Sequence, residues 1–246
     1  MKIAEAQIVA GQGQWNHALL AHMLAPEIAV FTTADVPELG SEFDQLNLWI
    51  PNYFLNSVFG LNYGGKWRVY ALNFIYRIQN CIREYETART LTEVFLKETQ
   101  PGRPAIQSYF RALSSWEHSF FNFKTALDIA KKMSGDIGIF STGDDSSWER
   151  AYYLANVVKH YAREVSEVSD ELVTSGLFPE AESEPNSLPM WLTNTGFSSA
   201  KTKLTFPDYA ELVKALGGVC DKLRNPTQFM EEARNHQHAQ QNAACN

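Results

Sequence analysis

Residues 67–99, WRVYALNFIYRIQNCIREYETARTLTEVFLKET, run without a proline or a glycine. Within them Ala71, Phe74, Ile78, Cys81, Ile82, Tyr85 and Ala88 recur at steps of three and four, the spacing that aligns one apolar stripe along an α-helix. At ~1.5 Å per residue such a helix is about 50 Å long. A rod of that length with one greasy flank has to be the spine of the fold, and it needs partners of similar length to cover the stripe.

Two such partners follow. The segment QPGRP (100–104) breaks the first helix and offers Pro104 for the first turn of the next. Residues 105–133 then place Ile106, Tyr109, Leu113, Trp116, Phe120, Phe123 and Leu127 on one face. A loop with Gly135 and Gly138 leads to SSWE, which reads as a capping box: Ser146 caps the Glu149 amide and the Glu149 side chain reaches back. From there Ala151, Leu154, Val158, Tyr161, Val165, Val168 and Leu172 continue a stripe to Val173, and the Ser175–Gly176 pair ends it. Short connections between long amphipathic helices predict an all-α fold, an antiparallel bundle with three long central helices. Hydrophobic residues at 45% against 20% charged supply a core for it.

The flanks are less regular. Residues 1–65 read as an irregular N-terminal segment packed on the bundle, with a short helix over 14–25, a strand over 28–33, a loop after it and an apolar stretch, 52–65, closed by a glycine pair. Residues 66–225 form the bundle domain. Within it 177–189 is an acidic, proline-bearing surface connection, 190–206 carries a short β-hairpin or packs Trp191 on the bundle, and 207–223 is a last helix weakened by Gly217–Gly218. Residues 226–246 read as a polar, flexible tail.

Several chemistries lack their residues. A net charge of −7 disfavours a phosphate backbone, so no DNA partner is expected. Three cysteines without a CxxC pair point to a reducing compartment; with no signal-peptide pattern and no long apolar run, a cytoplasmic protein is expected, away from membranes. The stretch IVAGQGQWNH has Asn16 where a dinucleotide site needs its third glycine, and no βαβ units follow. The histidines His17, His22, His118, His160, His236 and His238 form no HExxH or ExxH spacing, and no GxSxG occurs. No metal site and no cofactor are expected. Glu84, Glu117 and Glu149 lie on or near the bundle, where a glycosidase-type carboxylate pair would draw its members. Glu117 has apolar neighbours one turn away, so it is expected to be desolvated and to seek Arg77 or Arg83 on the first helix as a structural ion pair.

One stretch carries a family pattern. In LANVVKHYARE, Asn156 and His160 are separated by three residues on a helix. This resembles the Arg-Asn-x-x-x-His motif of HEPN domains, helical bundles of bacterial toxin and phage-defence systems. The sequence departs from the motif at Ala155, which stands where the arginine belongs; Arg111 and His118 give a second partial match. The resemblance implies two alternatives. The first is a degenerate member that acts as a binding or regulatory module, with Arg77, Arg83, Glu117 and Lys159 as binding residues and a second copy, a protein or RNA as partner. The second is a metal-independent ribonuclease in which Arg111, His118, Asn156 and His160 converge, the arginine on the phosphate and the histidine moving a proton. Aromatic density at Trp116, Phe120, Phe121, Phe123, Trp148, Tyr152 and Tyr153 either fills a wide core or lines a ligand site.

Overall fold

The structure, a computed structural model, describes residues 20–21, 24–43, 45–59, 65–166 and 188–224. Helix α1 spans Trp49–Phe59, α2 Gly65–Glu98, α3 Ile106–Met133, α4 Ser147–Ser166 and α5 Phe206–Arg224. Strands β1 (Trp191–Leu192), β2 (Gly196–Ser198) and β3 (Lys203–Thr205) form one antiparallel sheet in the order β1-β2-β3. This is an all-α bundle with a small sheet at one side, as the periodicity predicts.

The spine forms where the stripe requires it. All seven stripe residues of α2, from Ala71 to Ala88, are buried, and Phe95 extends the stripe to the helix end. Its partner α3 buries Tyr109, Leu113, Trp116, Phe120, Phe123 and Leu127 against it. The two helices run antiparallel: Cys81 meets Ser119, Arg77 meets Asn122 and Thr92 meets the Trp116 indole. α5 closes the remaining side, and its Tyr209 ring lies on Phe120 at 4.2 Å between centroids.

Aromatic rings make the centre. Trp116 touches Tyr85, Phe197, Phe206 and Tyr209, with centroid separations from 4.8 Å to 6.2 Å. The polar atoms inside this cluster are paired. Trp116 Nε1 donates to Thr92 Oγ1 (3.0 Å), and Ser119 Oγ donates to the Cys81 carbonyl (3.1 Å) while bonding the Tyr209 hydroxyl (2.9 Å). Burial pushes the Cys81 thiol up to about 11, so it stays protonated and behaves as a small apolar group.

The N-terminal segment corrects two expectations. Residues 28–33 form a turn followed by irregular chain rather than a strand: Ile28 and Phe31 are buried while Val30 faces out, a spacing of three instead of two. Phe31 stacks on Phe95 at 5.2 Å. Residues 49–59 form a helix, α1, that the apolar pattern hides. Its buried face is Trp49, Tyr53 and Ser57, whereas Phe54 and Leu55 are exposed, so apolar residues lie on both sides. The loop between residue 31 and α1 is anchored by α2: Glu86 accepts the Leu39 and Gly40 amides, and Tyr85 donates to the Pro37 carbonyl. Of the helix expected over 14–25, Leu20 and Ala21 are helical and the rest lies almost wholly outside the described residues.

α5 runs straight through Gly217–Gly218. A Cβ on Gly217 would collide with the Phe43 ring, so the glycine lets the N-terminal segment press against the helix. Residues 190–206 form the three-stranded sheet, one strand more than a hairpin, and Trp191 is buried with Nε1 near Glu27 of the N-terminal segment (3.4 Å). The stripe beyond Ser166, the connection over 177–187, the GxG stretch, the tail over 226–246, and His17, His22, His236, His238 and Cys245 lie outside the described residues. Among the described residues no helix is long and apolar enough to cross a membrane.

Candidate functional site

A hollow lies between the C-terminal half of α3, the α3–α4 loop and the first turns of α4. It encloses about 320 Å3 and is lined by Leu127, Asp128 and Lys131 of α3, by Gly138, Ile139, Phe140 and Thr142 of the loop, and by Glu149, Tyr152, Tyr153 and Asn156 of α4. Small-molecule sites begin at about this size, with mostly apolar walls and a few polar groups.

Local hydrogen bonding builds the rim. Ser146 Oγ accepts the Glu149 amide (3.2 Å), as the capping box predicts. The Glu149 carboxylate, however, reaches past the Ser146 amide to those of Gly143 and Asp145. The Ser146 N–H is taken instead by Asp144 Oδ1 (2.9 Å), which frees Glu149 to clip the loop. Gly143 and Asp145 both have positive φ, at 86° and 53°, and the clip holds the turn in that conformation. Phe140 then packs on Tyr152, with centroids 5.4 Å apart.

The charges on the floor are largely committed. Asp128 accepts Lys124 Nζ (2.6 Å) and the Tyr152 hydroxyl (3.0 Å). Lys124 Nζ also lies 4.6 Å from the centre of the Tyr152 ring. Desolvation pulls the Lys124 ammonium down, but the Asp128 contact outweighs it, and the net shift is upward. Lys131, Thr142, Tyr153 and Asn156 differ: among the described residues their side chains form no hydrogen bond or ion pair. A second hollow of about 160 Å3, lined by Asp145, Glu149, Arg150, Tyr153, Lys201 and Thr202, shares Glu149 and Tyr153 with the first and opens toward the sheet.

Asn156 lines the cleft; Arg111, His118 and His160 do not. Arg111 and His118 are exposed on α3, two turns or about 10 Å apart along the axis. His160 is half-buried on α4, and Lys159 is exposed. Among the described residues no hydrogen bond or ion pair joins these groups.

The expected pairing of Glu117 with Arg77 or Arg83 does not form. Arg77 donates to Asn122 Oδ1 (3.2 Å) and lies over the Tyr76 and Phe121 rings, at 5.5 Å and 5.7 Å. Arg83 donates to Asn47 Oδ1 (2.6 Å). Six residues are about 240° around a helix, so the two arginines leave α2 on different flanks, and the register sets Arg77 beside Asn122, more than a turn from Glu117. Half-buried Glu117 is left with its carboxyl raised above the ordinary value by desolvation, partly offset by the charge of His118.

The aromatic group divides in two. Trp116, Phe120 and Phe123 fill the core and Trp148 stacks on Phe123 (5.9 Å), whereas Tyr152 and Tyr153 line the cleft. Phe121 faces out, 45% exposed, under Arg77. Sequence reasoning missed Asp128, Lys131, Ile139, Phe140 and Thr142. The available signal was an Ile and a Phe inside a glycine-bearing loop, where apolar side chains need something to rest on. Among the described residues no group of three His, Cys, Asp or Glu side chains is placed to hold a metal. No family model matches the chain, and no curated protein or solved structure matches it.

Proposed function

We propose that this protein is a helical binding module, and that its site is the cleft between α3, the clipped loop and α4. The observation that carries the reading is the division of polar groups there. The carboxylates of Asp128 and Glu149 are spent on holding the walls, while Lys131, Thr142, Tyr153 and Asn156 stand around an apolar floor with hydrogen-bonding capacity to spare. Neither histidine that the sequence offers for moving a proton, His118 or His160, lines this cleft, and its two carboxylates are engaged in holding the walls. The resemblance to HEPN domains supports the non-catalytic form. Position 155 is 3% exposed and filled by alanine, so an arginine there would have to enter the core.

The test uses three two-ring probes of equal size, 2-naphthoate, 2-naphthamide and 2-naphthylmethylamine, followed by saturation-transfer NMR. Asn156→Trp fills the cleft from a half-exposed position on α4. At least one probe is expected to bind the native chain and to lose its signal in Asn156→Trp, with the far-ultraviolet spectrum unchanged. Absence of transfer to all three, or transfer that persists in the filled variant, overturns the reading.

A further inference from the structure

We infer that the cleft selects a compact aromatic carboxylate, its ring on the floor of Leu127, Phe140 and Tyr152 and its anionic group at Lys131. The inference rests on the binding reading above and adds the ligand's charge. Three charged side chains line the hollow, Asp128, Glu149 and Lys131, and a fourth, Lys124, is bonded to Asp128. Three are engaged. Asp128 is held by Lys124 and the Tyr152 hydroxyl, and Glu149 by two backbone N–H groups.

A cationic ligand approaching the floor therefore meets the Lys124 ammonium already seated over the Tyr152 ring, at 4.6 Å from its centre, with Lys131 beside it. Recruiting either carboxylate would break the bonds that shape the wall. An anion meets the opposite situation. Lys131 offers three unspent donors, and the Asn156 amide and the hydroxyls of Tyr153 and Thr142 offer neutral ones. The end of α3 does not repel it strongly either, because the Lys131 carbonyl is already capped by the Asp136 amide (2.8 Å).

Dissociation constants for the three probes, measured by NMR titration, test the charge selection. 2-Naphthoate is expected to bind about tenfold more tightly than 2-naphthamide, one charge-assisted hydrogen bond's effect, with the amine weakest. Lys131→Met brings the carboxylate-to-amide ratio close to one by weakening the carboxylate far more than the amide, whereas Lys201→Met in the adjoining hollow preserves the ratio. Lys131 is exposed, and Lys131→Arg, which retains the charge, is expected to keep the preference and serves as the folded control. Equal binding of carboxylate and amide, tighter binding of the amine, or a ratio that collapses with Lys201→Met instead overturns the inference while cleft binding stands. Failure of all three probes removes the binding reading itself.

Discussion

Thr92→Val tests whether the aromatic core depends on one buried hydrogen bond. Thr92 and Trp116 are 1% and 0% exposed, and the indole N–H has Thr92 Oγ1 as its acceptor at 3.0 Å. Valine keeps the shape of threonine and removes the acceptor. Tyr85, Phe197 and Phe206 ring the indole, so a water does not take the vacated place. An orphaned buried donor costs about 1–3 kcal/mol, and complete burial of both partners sets the value near 2 kcal/mol. For a chain of this size that is a fall in Tm of about 4–8 °C. Circular dichroism during heating reads the shift, and urea unfolding with an unchanged slope shows that the folded state alone was affected. The decisive measurement is the same substitution in a Trp116→Phe background. There the N–H is gone, and Thr92→Val should cost less than about 0.5 kcal/mol. Equal losses in both backgrounds would mean that packing, and not the hydrogen bond, sets the cost, and the argument fails.

Four further outcomes are expected. Glu149→Ala releases the loop clip and raises amide exchange at Gly143 and Asp145 roughly tenfold, leaving Phe120 unchanged; exchange within twofold of native at the two loop amides refutes the clip. Gly196→Ala drives a Cβ into the Leu204–Thr205 backbone of β3, so it parts the sheet and lowers stability by about 2 kcal/mol, seen as a lower Tm; an unchanged Tm contradicts the packing. Glu117→Gln stabilises the fold near neutral pH. Because the folded carboxyl is raised, the cost of ionising it is complete above the raised value and vanishes below the ordinary one, so the Tm gain should shrink as pH falls through that window; a gain independent of pH refutes it. Labelled RNA in EDTA should survive equally with the native chain, His118→Ala and His160→Ala. Cleavage by the native chain that either variant abolishes would replace the binding module with the ribonuclease built on Arg111, His118, Asn156 and His160.

The local periodicities carried the bundle. The stripes of α2 and α3 and the Ser146 cap are properties of neighbours in the chain, and each formed where the spacing placed it, because an amphipathic helix declares its face within a few turns. α1 escaped because Phe54 and Leu55 remain exposed and Ser57 is buried, which blurs the contrast that a periodic reading needs. The partners of Arg77, Arg83 and Glu117 depended on helix rotation and interhelical register, which a single strip of residues does not encode.

The amino-acid order by itself determined that long rods form, which flank of each is greasy and where each begins. Only the packed chain decided the cleft. Its walls come from three consecutive but differently oriented pieces, and the hollow exists because Glu149 draws Gly143 and Asp145 together while Phe140 rests on Tyr152. A helix reports its own face through a repeat of 3.6 residues; a cavity is the space left between faces, and it acquires a shape only when their relative positions are set by packing.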